Sequence, residues 1–184
     1  MDLVIAKLIM RLAKKRNCNM AVLTEKQIKY GFDYYHKDDA RPKSVVEVSE
    51  YDGEDKLIIN CTQLEESYSA KAKKRIWMEW CDFLVNNPDT FTELMFCTRM
   101  PQDLFDAVCA QRRLKKLHIK WGVYPDISKL ENLQELEYLH IGSGRSVSSL
   151  EPISRLVNLV ALSIENFQQI DDYAPLANLK HLES

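Results

Sequence analysis

Residues 127–142 read ISKLENLQELEYLHIG, with aliphatic side chains at Ile127, Leu130, Leu133, Leu136 and Leu139 and then, one step of two later, at Ile141. An amphipathic helix repeats its apolar positions at i, i+3, i+4 and i+7, and a half-buried strand alternates in twos. Steps of three that close in a step of two fit neither alone. They fit a unit that coils back on itself and then runs into a strand. The same rhythm recurs as Phe105, Val108, Gln111, Leu114, Leu117, Ile119, as Leu150, Ile153, Leu156, Leu159, Leu162, Ile164, and as Ile170, Tyr173, Leu176, Leu179, Leu182. Phe91, Leu94 and Phe96 in FTELMF form a shorter copy ahead of these.

Each closing L-x-I triple predicts a short strand with both aliphatic residues inward and the middle residue outward. The steps of three predict 3₁₀-like returns, where side chains at i and i+3 fall on one side. A single unit cannot bury its own apolar row, but stacked units share one core. LKKLHI, LEYLHI and LVALSI match the L-x-x-L-x-L core of a leucine-rich repeat, and the period of 20 to 23 residues lies in its range. YAPLANLKHL and LEPISRLVNL resemble the P-L-x-x-L-x-x-L segment of bacterial internalin-like repeats over residues 91–184. That resemblance implies parallel strands on a concave side, short 3₁₀ or irregular returns on a convex side, and protein recognition as the usual work. The chain departs from the family where an asparagine ladder is usual, with Gly122, Gly144 and Phe167 in those places. The turn after each strand must then be satisfied by other groups.

The expected fold is α/β, a leucine-rich repeat solenoid over 91–184 with about four to five units, preceded by a small α+β domain over 1–90. The last unit, NLKHLES, stops with Leu182 in place and no polar capping segment behind it. We therefore expect an incomplete final repeat whose open edge offers a route to self-association. Before residue 91 the rhythm is lost. MDLVIAKLIMRLAKKR gathers Lys7, Arg11, Lys14 and Lys15 on one helical face and predicts an amphipathic helix. QIKYGFDYY alternates, and SVVEVSEY and KLIINC flank Asp52–Gly53, predicting two or three antiparallel strands. A helix is expected over 63–85, burying Tyr68, Ile76, Trp77, Trp80, Phe83 and Leu84, with Asn86, Asn87 and Pro88 ending it.

Composition narrows the function more than it names one. The 184 residues are 46% apolar with a net charge of −2, so bulk charge selects no partner, and the basic run AKAKKR at 70–75 reads as the solvated side of a helix rather than a nucleic-acid site. Five cysteines with no C-x-x-C argue against a disulfide framework. Lys7 and Arg11 break the apolar run at the N-terminus, and no segment approaches the ~20 apolar residues of a membrane span. The expected setting is cytoplasmic. Gly-rich phosphate loops, H-E-x-x-H and G-x-S-x-G are absent, so no catalytic residue is nominated and no cofactor is expected.

Candidate function falls to the outward residues of the strands. In register they form columns: Glu93, Lys116, Tyr138, Ala161, His181; then Met95, His118, His140, Ser163, Glu183; then Cys97, Lys120, Gly142, Glu165. His118 and His140 should stand side by side, since neighbouring strands lie about 4.8 Å apart. Cys97 is the one further metal ligand nearby, so no metal site is expected. Lys116, His118, Lys120, Trp121, Tyr138, His140, Arg145 and Glu165 are the candidate contacts for a protein partner, with Trp121 and the GSGRS loop at the rim. Any solenoid must also fill its outward positions with something polar, which is the plainer account of the same residues. The leading expectation is a non-enzymatic interaction protein, with an inhibitor or immunity-type protein as its narrower form. The competing one is the substrate-recognition part of an enzyme or effector whose catalytic part is N-terminal or lies beyond residue 184.

Overall fold

The computed structural model describes residues 41–184. The amphipathic segment expected at the N-terminus and the alternating QIKYGFDYY stretch lie outside those residues. Among the described residues six strands form one parallel sheet: β1 (Lys43–Val45), β2 (Lys56–Ile59), β3 (Glu93–Phe96), β5 (Lys116–Ile119), β7 (Tyr138–Gly142) and β8 (Ala161–Glu165), in that spatial order. A second, two-stranded parallel sheet pairs β4 (Met100–Pro101) with β6 (Gly122–Val123). The inward residues Leu57, Ile59, Leu94, Phe96, Leu117, Ile119, Leu139 and Ile141 are all buried in one core.

The steps of three have a direct hydrogen-bond meaning. Leu130, Leu133 and Leu136 each donate a backbone N–H to the carbonyl three residues back, on Ile127, Leu130 and Leu133, at 3.0, 2.9 and 3.1 Å. Leu176, Leu179 and Leu182 repeat the chain of bonds at 3.1, 3.1 and 3.2 Å. Leucine recurs every third residue because each tight turn closes on the last, so its apolar side chains all point at the sheet. Between β7 and β8 the same path holds a short helix over Glu151–Ser154, started by Pro152. At the far edge, Glu183 and Ser184 donate to Val160 O, and Leu162 N donates to Ser184 O, so the chain is pairing with β8 where the described residues end.

Residues 41–90 differ from expectation in two ways. β1 and β2 pair parallel, not as an antiparallel hairpin, and β2 pairs parallel with β3, which carries the sheet straight into the repeats. The Asp52–Gly53 turn is present, with Gly53 at φ 96°, but a 3₁₀ turn over Val48–Glu50 reverses the chain first, so β2 returns in the direction of β1. The helix expected from 63 begins at 70 instead: α1 is Ala70–Asn86. Gln63 has φ 55°, which no helix tolerates, whereas Ser69 Oγ accepts the Ala72 N–H and caps the first turn. Ile76, Trp80 and Leu84 form its buried stripe, with Trp77, Phe83 and Tyr68 half-buried beside it. Trp80 Nε1 donates to Val46 O at 2.8 Å, and α1 packs on α2 (Gln102–Val108). Lys71, Lys74 and Arg75 of the basic run are exposed, and Arg75 pairs with Glu79 and Glu47.

One buried polar side chain ties the two halves. Gln111 occupies an apolar position of the repeat row and is fully buried. Its Oε1 accepts from Thr90 N and Phe91 N at 2.9 and 3.1 Å, and its Nε2 donates to Leu84 O and Asn87 O at 2.7 and 2.8 Å. The end of α1 leaves carbonyls without helical partners, and the start of β3 leaves amides; one carboxamide satisfies both.

Candidate functional site

The outward columns fall in register as the sequence spacing places them as far as β8; beyond it Glu183 N and Ser184 N share the Val160 carbonyl as Val160 N and Ala161 N share that of Glu137, which brings Ser184, not the expected His181, level with Ala161. Glu93, Lys116, Tyr138 and Ala161 are successive partners, as are Met95, His118, His140 and Ser163. Lys56 and Ile58 of β2 extend the two columns by one strand. Direction is therefore legible, but exposure is not.

The middle of this face is closed. Lys116 is 4% exposed and its Nζ lies 3.5 Å from Glu93 Oε2, while Lys56 reaches the other oxygen of Glu93 at 2.9 Å. Tyr138 is buried with Ala161, and Met95 packs against both. His140 is buried and His118 partly so, their rings stacked with centroids 4.1 Å apart and planes 6° from parallel. Burial, then the neighbouring His140 and Lys120, drives the His118 pKa down to about 3; burial also lowers that of His140, against an opposing pull from Glu165. Both rings are neutral at pH 7. Lys116, Tyr138 and His140 thus stand where expected and are withdrawn from solvent.

The ends of the strands are open. Lys120, Arg145 and Glu165 are exposed and Trp121 is half-buried. Here the missing asparagine ladder has a replacement. The Tyr124 hydroxyl donates to the Gly142 carbonyl, and its ring stacks on Phe105 at 4.9 Å. Ser143 N donates to Glu165 O at 2.8 Å, with Ser143 at φ 59°. Gly144 leaves room for Phe167: a Cβ there would sit 2.4 Å from that ring. Aromatic rings and backbone bonds fill the place of the ladder. Sequence reasoning named Trp121 and the GSGRS loop but missed Tyr124, whose spacing two residues after Gly122 was the available signal.

Among the described residues no three His, Cys, Asp or Glu side chains gather as a metal site, and no helix is long and apolar enough to cross a membrane. Cys61, Cys81, Cys97 and Cys109 are free thiols, and burial raises Cys61 and Cys81 to about 12, so neither is a nucleophile at neutral pH.

Two solved structures from Listeria monocytogenes show similarity. One is an internalin (inlF), 30% identical over 52% of this chain and 28% of its own length, with a TM-score of 0.42. The other is an internalin C2 (inlC2), 24% identical over 54% of this chain and 52% of its own, with a TM-score of 0.42. Over about half its length this chain is similar to the internalins. It spans between about a quarter and about half of the length of those two proteins. No family model matches, and no curated protein matches. The similarity covers about half the chain, and the N-terminal region is not matched.

Proposed function

We propose that this chain is a non-enzymatic protein-interaction module, a leucine-rich repeat solenoid that meets a protein partner on its concave face along the C-terminal ends of the strands. The observation that carries the reading is the split within the face. Lys116, Tyr138 and His140 are withdrawn, while Lys120, Trp121, Arg145 and Glu165 remain accessible at the strand ends. Stacked repeats recognise partners by shape over many side chains, and Trp and Arg are over-represented where binding energy concentrates. Lys120 and Arg145 enter no ion pair among the described residues, so their charge is available to a partner.

The test is affinity purification from the native cell with the wild-type chain and with Lys120→Glu side by side. A partner recovered in stoichiometric amount by the first and depleted with the second supports the proposal. Equal recovery by both removes Lys120 from the interface and, with it, the strand-end placement.

A further inference from the structure

Between the loops after β5 and β7 lies a cleft of about 360 Å³ lined by Trp121, Val123, Tyr124, Pro125, Arg145 and the hydroxyl-bearing Ser143 and Ser146. Its walls are fixed rather than collapsible. Tyr124 is 2% exposed, held by its ring against Phe105 and its hydroxyl on Gly142 O. β6 is pinned to β4, with Met100 N donating to Trp121 O at 3.0 Å. The opposite loop is held by Ser143 N on Glu165 O and by Arg145 N on Ser143 O, both 2.8 Å. A rigid cleft loses little freedom on filling.

The cleft is apolar on one side and cationic on the other. Val123 is 48% exposed, Pro125 is exposed and Trp121 is half-buried; Arg145 is exposed and, among the described residues, without an ion pair. A guanidinium presents paired N–H donors that match a carboxylate bidentately, and serine hydroxyls beside it can donate to the same group. We propose that this cleft takes an acidic side chain of an extended segment in the protein partner, with that segment's neighbouring apolar side chain against Trp121 and Val123. A phosphate backbone would ask for a row of cations; Lys120, next to Trp121, is the second, and the chain is −2 overall. The inference deepens the proposed function and rests on it for the identity of the partner as a protein.

The experiment follows the indole N–H signals of the uniformly labelled full chain by NMR. The probes are acetyl-Asp-Leu-Asp-Leu-amide, its Asn-Leu-Asn-Leu counterpart, inorganic phosphate and a ten-nucleotide oligothymidine. The expected result is a saturable shift of the Trp121 indole with the acidic peptide while Trp77 and Trp80 stay still. The affinity falls at least about tenfold for the Asn peptide and for Arg145→Ala, as loss of one charge-assisted pair predicts. Arg145 is exposed, so its replacement leaves the melting temperature unchanged. No Trp121 response at millimolar acidic peptide, an equal response to the Asn peptide, or a stronger response to phosphate or oligothymidine overturns the proposal. Against the purified partner the two readings separate. Loss of binding in Lys120→Glu with full binding in Arg145→Ala keeps the interaction module and removes the cleft. Peptide binding at Trp121 with no protein partner recovered keeps the cleft and removes the module.

Discussion

The imidazole rings of His118 and His140, twenty-two residues apart in sequence, stack 4.1 Å apart in adjacent strands and are kept neutral by burial. In the unfolded chain a histidine titrates near 6.5, and in the fold His118 holds out to about 3. A depressed base is protonated more readily unfolded than folded, so its contribution is present above about 6.5 and is lost as pH falls from there toward 3. His118 adds a slope of up to about 1.4 kcal/mol per pH unit in that window, and His140, lowered by burial, acts in the same direction. Urea unfolding at pH 7, 6 and 5 should show stability falling, and His118→Phe, which keeps a ring on His140, should flatten the fall. An unchanged slope in His118→Phe contradicts the assignment.

Gln111 closes four backbone groups at once, so shape-conserving loss of its amide should be costly. Gln111→Leu leaves Phe91 N and Leu84 O without that partner in a buried place and Thr90 N in a partly buried one, while Asn87 O keeps the Thr90 hydroxyl. The expected loss is roughly 2–4 kcal/mol, given about 1 kcal/mol or more for each buried group left unmet. The urea midpoint should drop while the slope of the transition stays the same. A loss under about 0.5 kcal/mol would mean the two halves are not joined through this side chain.

At Gly144 the restriction is space. Gly144→Ala places its Cβ 2.4 Å from the Phe167 ring and should cost about 1–3 kcal/mol through overpacking. Phe167→Leu trims the ring, so the double variant should recover part of that loss, a coupling that a double-mutant cycle of melting curves measures. Strictly additive losses would contradict the contact.

Tyr124 replaces the ladder with one hydroxyl. Tyr124→Phe keeps the ring on Phe105 and removes the bond to the buried Gly142 carbonyl, for an expected loss of about 1–2 kcal/mol. Hydrogen exchange should quicken first at Ser143 and Arg145, in the loop that the carbonyl precedes. Uniform quickening over the whole sheet would place the role of Tyr124 in global packing instead.

The repeats were legible because one physical cause, a hydrogen bond closing every third residue, writes one letter, leucine, at every third position. The strand register followed from it, down to His118 beside His140. The continuation of the sheet to β1 was hidden by irregular spacing: Lys43 pairs with Leu57 fourteen residues on, and Lys56 with Glu93 thirty-seven on, against twenty-two from Lys116 to Tyr138. No fixed period spans those steps, and Asp52–Gly53 imitates a hairpin turn. The candidate site was legible in direction alone. Alternation says that Lys116 and Tyr138 point away from the leucines, but only coordinates show Lys116 against Glu93 and Tyr138 against Ala161.

If the strand ends, and not the middle of the face, meet the partner as we propose, the dissociation constant of the recovered partner, by calorimetry, will separate Lys120→Glu and Trp121→Ala from the control Lys180→Glu, an exposed cation outside the columns. We expect affinity to fall at least about tenfold for Trp121→Ala, the loss of a hot-spot aromatic, and measurably and salt-dependently for Lys120→Glu. The control should bind as the wild type does. Wild-type affinity in both strand-end variants would contradict the account.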